Sequence, residues 1–134
     1  MIFCDIINNM NNKIKKLILV VEDEPNLLEA IKRKLEKENV NVLTAETGEQ
    51  ALGALEKQKP DLVWLDILLP GINGLEVLRS IRNNPLLKDL KVVAVSVSGG
   101  DDKIKEARAL NVDDYIIKSE NTLALITKRV LSYL

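Results

Sequence analysis

Five short apolar runs recur along this 134-residue chain, and after each comes a stretch with apolar residues spaced three and four apart. The first run, Leu17-Ile18-Leu19-Val20-Val21, has no alternating polar positions, the pattern of a strand covered on both faces. Pro25 suits the first position of a helix, and Leu27, Leu28, Ile31 and Leu35 then share one helix face. Residues 40–44 form the second run. Thr47-Gly48-Glu49-Gln50 has the form of a capping box, opening a helix that extends to about Lys57 before Pro60 blocks it. The third run, Leu62-Val63-Trp64-Leu65, stops at Asp66. Pro70 and Gly71 mark a loop, and Asn73, three before Glu76, is placed to cap a helix carrying Leu75, Leu78 and Ile81. The fourth run, residues 92–95, is closed by Ser96, and Ile104, Ala107 and Leu110 mark the helix after it, with Ser98 or Asp101 as its cap. Residues 115–117 are the fifth run, and Leu123, Ile126 and Val130 give a terminal helix.

Strands buried on both faces and alternating with helices predict an α/β fold with a parallel sheet. Five such pairs suit a flavodoxin-like (βα)5 three-layer sandwich with strand order 2-1-3-4-5, in which ligands sit beyond the carboxyl ends of the strands, beside strands 1 and 3. Residues 16–134 make up this unit. Residues 1–15, rich in asparagine, read as an N-terminal extension, either loosely ordered or folded as a short helix against the domain.

Composition narrows the function. Nineteen basic and twenty acidic residues nearly cancel, so no basic excess marks a nucleic-acid surface. No apolar run approaches the length of a membrane span. The apolar start, Met1 to Ile7, lacks the preceding basic residues of a signal peptide, and a lone cysteine, Cys4, cannot form an internal disulfide. These features place the protein in the cytoplasm. The absence of histidine excludes histidine metal ligands and a phosphohistidine of its own.

At the strand ends stand Glu22 and Asp23 (first), Asp66 (third), Ser96 (fourth) and Lys118 (fifth). Each has an ordinary role when taken singly. Asp23 before Pro25 can cap a helix, Asp66 can be a loop residue, Lys118 a solvated lysine and Tyr115 a half-buried strand residue. Brought together, three carboxylates repel one another and call for a compensating cation. Mg²⁺ takes octahedral oxygen ligands and is held by one or two carboxylates plus phosphate oxygens, and Mn²⁺ can replace it. Asp23 and Asp66 are the expected direct ligands. Glu22 acts through a water, and the backbone carbonyl of Leu68 completes the protein share. A carboxylate can also attack phosphorus. Lys118 and Ser96 would then partner the phosphoryl oxygens that the metal leaves.

Glu22-Asp23, the stretch Asp66-Ile67-Leu68-Leu69-Pro70-Gly71-Ile72-Asn73-Gly74, Ser96, and Tyr115-Ile116-Ile117-Lys118 together resemble the response-regulator receiver family, over about residues 16–134. The 30 residues from Asp66 to Ser96 and the 22 from Ser96 to Lys118 match as well. The resemblance implies two-component signalling rather than an enzyme. Asp66 would take a phosphoryl group from a histidine kinase or a histidine phosphotransfer protein. Ser96 would move toward that group, Tyr115 would turn inward behind it, and the surface of the fourth helix, fifth strand and fifth helix would change. A downstream protein target, or a second copy of the chain, would read that surface.

Two positions depart from the family pattern. Ser119 follows Lys118 where a cis proline is usual, so a trans bond is expected there. Val97 follows Ser96 where a small residue is typical, and its β-branch would crowd the path to the phosphoryl group. Other classes fit less well. A receiver-like interaction module that takes no phosphate needs no such site. A haloacid-dehalogenase-like phosphatase needs an aspartate where Leu68 stands. A flavin phosphate would be repelled by Glu22-Asp23-Glu24. No output domain is expected after Leu134, which leaves a single-domain regulator or a receiver piece of a longer regulator or hybrid kinase.

Overall fold

The structure, a computed structural model, describes residues 15–97 and 100–134. Five strands, β1 (Leu17–Val21), β2 (Asn41–Ala45), β3 (Leu62–Asp66), β4 (Lys91–Ser96) and β5 (Asp114–Ile117), alternate with five helices. These are α1 (Pro25–Lys37), α2 (Gly48–Lys57), α3 (Gly74–Asn83), α4 (Asp101–Ala109) and α5 (Leu123–Leu131), with a 3₁₀ turn at Lys118–Glu120. All strand pairs are parallel, in the order β2-β1-β3-β4-β5. The expected flavodoxin-like sandwich is thus the observed one.

Side chains alternate across a strand, so each strand feeds both layers. Leu19, Val21, Val63 and Leu65 pack with α2 and α3 residues such as Leu55 and Leu78 on one face. Ile18, Val20, Trp64 and Val95 pack with Ile31 of α1 and Ile126 of α5 on the other. β3, in the middle of the sheet, is buried along its whole length, which carries Asp66 out of solvent with it.

Local chemistry sets the ends of the elements. Glu24, not Asp23, caps α1, accepting from the amides of Asn26 and Leu27, and Pro25 takes the first helical position as expected. The Thr47 hydroxyl accepts from Gln50 N, while the Gln50 side chain returns to the amide of Glu46, one residue earlier than in a strict capping box. Asn73 caps α3 through Glu76 N. Asp101 does not cap α4 but is its first residue, with Gly100 at the cap position and no side-chain cap bond. Ser98, like Cys4 and nearly all of the N-terminal extension, lies outside the described residues. Asn39 and Asn111 stop the chain after α1 and α4 with positive φ, which asparagine tolerates better than most residues.

α4 buries Ala107 alone. Polar ties to α3 hold it instead. Arg79 pairs with Glu106, and the half-buried Arg82 guanidinium donates to four carbonyls: Leu110 (2.7 Å), Asn111 (3.0 Å), Lys88 (3.0 Å) and Leu90 (2.7 Å). Replacing it strands those acceptors. Arg82→Met is expected to lose about 2 kcal/mol in urea unfolding, and Arg82→Lys to recover less than half, because an ammonium cannot span the same fork. A loss near zero would show that water replaces the guanidinium freely.

Candidate functional site

The carboxyl ends of β1, β3, β4 and β5 meet at one edge of the sheet. Glu22 follows β1 and donates its amide to Ala45 O of β2 (3.0 Å), which holds it at 1% exposure. Asp66, at the tip of β3, is 2% exposed, and Ser96, at the tip of β4, is fully buried. Asp23 lies open to solvent beside them. Carboxylate oxygens of Glu22, Asp23 and Asp66 lie within 4.8 Å of one another.

Lys118 enters from the 3₁₀ turn after β5. Its Nζ donates to Glu22 Oε1 and to Asp66 Oδ2, the latter at 3.2 Å. Burial alone would lower its pKa, but the two carboxylates outweigh that and hold it above the ordinary lysine value. The side chain is therefore an ammonium at neutral pH. No cis peptide occurs among the described residues, so the bond to Ser119 is trans as expected, and Lys118 still reaches the site.

Each oxygen of the two buried carboxylates has a partner. Asp66 Oδ1 accepts from Leu68 N (3.0 Å), and Glu22 Oε2 accepts from Glu24 N (3.2 Å). Asp23 differs. Partial desolvation and a hydrogen bond with Glu22 raise its pKa above the ordinary value, with Lys118 pulling the other way. Three carboxylates against one ammonium leave two negative charges in excess. With only oxygen donors present, the donor set fits a hard divalent cation.

Tyr115 sits half-buried on β5 opposite Ala94, packed against the α2–α3–α4 side of the core, and its hydroxyl is buried without a partner among the described residues. Leu68, the proposed carbonyl donor, is in the loop after Asp66 at 38% exposure. Glu22, Asp23, Asp66 and Lys118 are thus brought together, with Ser96 at the tip of the neighbouring strand β4. What spacing did not expose is Gly74. Its amide donates to Ile67 O (2.9 Å), and a Cβ there would lie 2.3 Å from Asp66 O. The available signal was a glycine in the first turn of a helix, where it weakens the helix with no local return.

Comparison with known proteins agrees with this geometry. The profile of the response regulator receiver domain matches residues 18–129, and the chain belongs to that family. The phosphate regulon transcriptional regulatory protein PhoB of Pseudomonas aeruginosa is 32% identical over 115 residues, 86% of this chain and 50% of that protein. The chain spans about half the length of the curated relatives it matches. Among solved structures, the response regulator TrrA of Thermotoga maritima, in complex with Mg²⁺ and beryllium fluoride, is 38% identical, with a TM-score of 0.77 over 89% of this chain and 99% of TrrA. The Mn²⁺-bound form of the response regulator Rcp1 is 31% identical, with a TM-score of 0.75 over 87% of this chain and 90% of that one. A receiver domain is a two-component signalling element that partners histidine kinases and is not a catalytic enzyme beyond its own phosphorylation. Among the described residues no helix is long and apolar enough to cross a membrane.

Proposed function

We propose that Asp66 accepts a phosphoryl group, with Mg²⁺ or Mn²⁺ held by Asp23, Asp66 and the carbonyl of Leu68. The observation that carries this is the convergence of three carboxylates and one ammonium at the tips of β1 and β3 and the start of the 3₁₀ turn. The bound cation of TrrA, and its beryllium fluoride, an anion of phosphoryl size, support it. Glu22, whose oxygens accept from Lys118 and from Glu24 N, would act on the cation through water.

In transfer, an Asp66 oxygen attacks phosphorus. A P–O bond forms as the P–N bond of the donor phosphohistidine breaks, and the imidazole leaves with the electron pair. The cation, when bound, neutralises charge on the transferring group. Lys118 follows the charge from Asp66 Oδ2 onto a phosphoryl oxygen, and Ser96 hydrogen-bonds another. The donor is a histidine kinase or a histidine phosphotransfer protein, in the cytoplasm. Tyr115 turns further inward behind Ser96, from a position in which its hydroxyl is already buried and has no partner among the described residues. Such a move changes the α4–β5–α5 surface for a downstream protein or a second copy of the chain. Residues 16–134 form the unit that switches, a boundary supported by the family match.

The test is intact mass after incubation with acetyl phosphate. A gain of one phosphoryl group with Mg²⁺, and none with excess chelator, is expected. No gain at any Mg²⁺ concentration would leave an interaction module that takes no phosphate. Val97, half exposed just after Ser96, is expected to slow the approach of the hydrolytic water. The aspartyl phosphate should therefore be shorter-lived in Val97→Ala than in the unaltered chain, and an equal or longer lifetime rejects this role.

A further inference from the structure

The loop between β3 and α3 carries the Leu68 carbonyl, and it is anchored unevenly. At its start Asp66 Oδ1 accepts from Leu68 N (3.0 Å), and at its end Asn73 caps α3. Between them Pro70 has no N–H to give, and Gly71 turns the chain with a φ of 70°. Among the described residues, the side chain that reaches this stretch from another element is Glu49, in the first turn of α2. Its Oε1 accepts from Ile72 N at 3.5 Å, and a Cβ at Gly71 would lie 3.3 Å from the same oxygen. Gly48, one residue earlier, brings helix and loop together. A Cβ there would stand 2.6 Å from Ile72 O, so a side chain at that position would push the loop away.

We propose that Glu49 is a positioning residue for the divalent cation. By holding the Gly71–Ile72 corner against the start of α2, it restrains the loop that presents the Leu68 carbonyl. This role rests on the assignment of that carbonyl as a cation ligand. A plainer role exists for a carboxylate in the first turn of a helix, where it favours the helix dipole. That role needs the charge alone and leaves an exposed side chain free to take any rotamer. Here the carboxylate is turned across to the loop, and the cap of α2 is already supplied by Thr47. The restraint matters because Mg²⁺ demands near-ideal octahedral geometry, so a carbonyl on a loose loop serves it poorly. Groups bonded directly to a metal ligand commonly change affinity by roughly tenfold or more. A long bond from an exposed carboxylate, acting through the intervening backbone, should do less.

Two variants separate position from charge. Glu49→Ala and Glu49→Gln each remove one negative charge, and both replacements are good helix formers, so the fold should be kept. Only glutamine retains an acceptor for Ile72 N. Titration with Mg²⁺, followed by Trp64 emission, should show about fivefold weaker binding in Glu49→Ala and recovery to within about twofold of the unaltered chain in Glu49→Gln. In the metal-free protein, ¹⁵N relaxation should show lower order parameters at Leu68 and Ile72 in the alanine variant alone. Equal weakening in the two variants would mean that Glu49 acts by its charge, and overturns the role. So does unchanged affinity in Glu49→Ala, or a loop equally rigid in both variants. If the unaltered chain itself shows no Mg²⁺ response, the cation site fails first and this role falls with it. A responsive chain with an indifferent Glu49→Ala removes the role and leaves the cation site standing.

Discussion

Asp66→Asn is expected to take up no phosphoryl group from acetyl phosphate and Mg²⁺ under conditions in which the unaltered chain gains one. The substitution keeps the size and planarity of the side chain, so the fold should be retained. The neutral amide, however, is not the carboxylate nucleophile that forms an acyl phosphate. It also removes one negative charge from a site where three carboxylates converge. Because ligand charge sets the affinity of oxygen-ligand cation sites, Mg²⁺ binding should weaken about tenfold as well. Emission from Trp64, two residues before Asp66 on β3, can report that titration. A D66N protein that still gains a phosphoryl mass would move the acceptor elsewhere, with Asp23 the first alternative to examine. Normal Mg²⁺ affinity in the same protein would remove Asp66 from the set of cation ligands.

The second large effect is on stability. Gly74→Ala should cost about 3 kcal/mol, lowering the melting temperature by roughly 10 °C for a domain of this size. The reason is local and steric. An added Cβ would stand 2.3 Å from Asp66 O and 2.5 Å from Ile67 Cα. Both are backbone atoms, and neither can rotate away as a side chain would. Relief requires the start of α3 to withdraw from the end of β3, which pulls on the Gly74 N–H to Ile67 O bond and tilts the Asp66 carboxylate. Cation affinity should therefore fall together with stability. Gly53→Ala is the matched control. Gly53 lies inside α2 with nothing within 4 Å of its would-be Cβ, so alanine there should stabilise by about 0.5–1 kcal/mol. If the two variants melt alike, the close approach at Gly74 carries no energetic weight.

The strand–helix alternation was legible because hydrophobic periodicity is a local property of the chain. The unbroken apolar run from Leu17 to Val21 marks a doubly covered strand whatever elements cover it. The site was legible for a different reason. Once the order β2-β1-β3-β4-β5 is assumed, the last residue of each strand must point to one edge, so Asp23, Asp66, Ser96 and Lys118 converge by topology. Caps are harder to read where two candidates of similar chemistry are neighbours. With Pro25 at the first helical position the cap falls on Glu24, which leaves Asp23 open to solvent. On α4, glycine occupies the place where a side-chain cap was expected. Close contacts between distant segments leave no pattern in the sequence. The double engagement of Lys118 by Glu22 and Asp66 and the fork of Arg82 onto four carbonyls depend on distances of a few tenths of an ångström.

The way α4 is secured bears on how such a domain can respond at all. A helix with a single fully covered side chain loses little contact with the interior when it shifts, so water re-entry opposes its displacement only weakly. Its carboxyl end is tied through Arg82, whereas its amino end starts from Gly100, with no side-chain cap among the described residues. Displacement should therefore be a pivot rather than a translation, with amplitude growing toward Asp101. Amide hydrogen exchange along α4 should show that gradient, fastest at the first turn and slowest near Leu110.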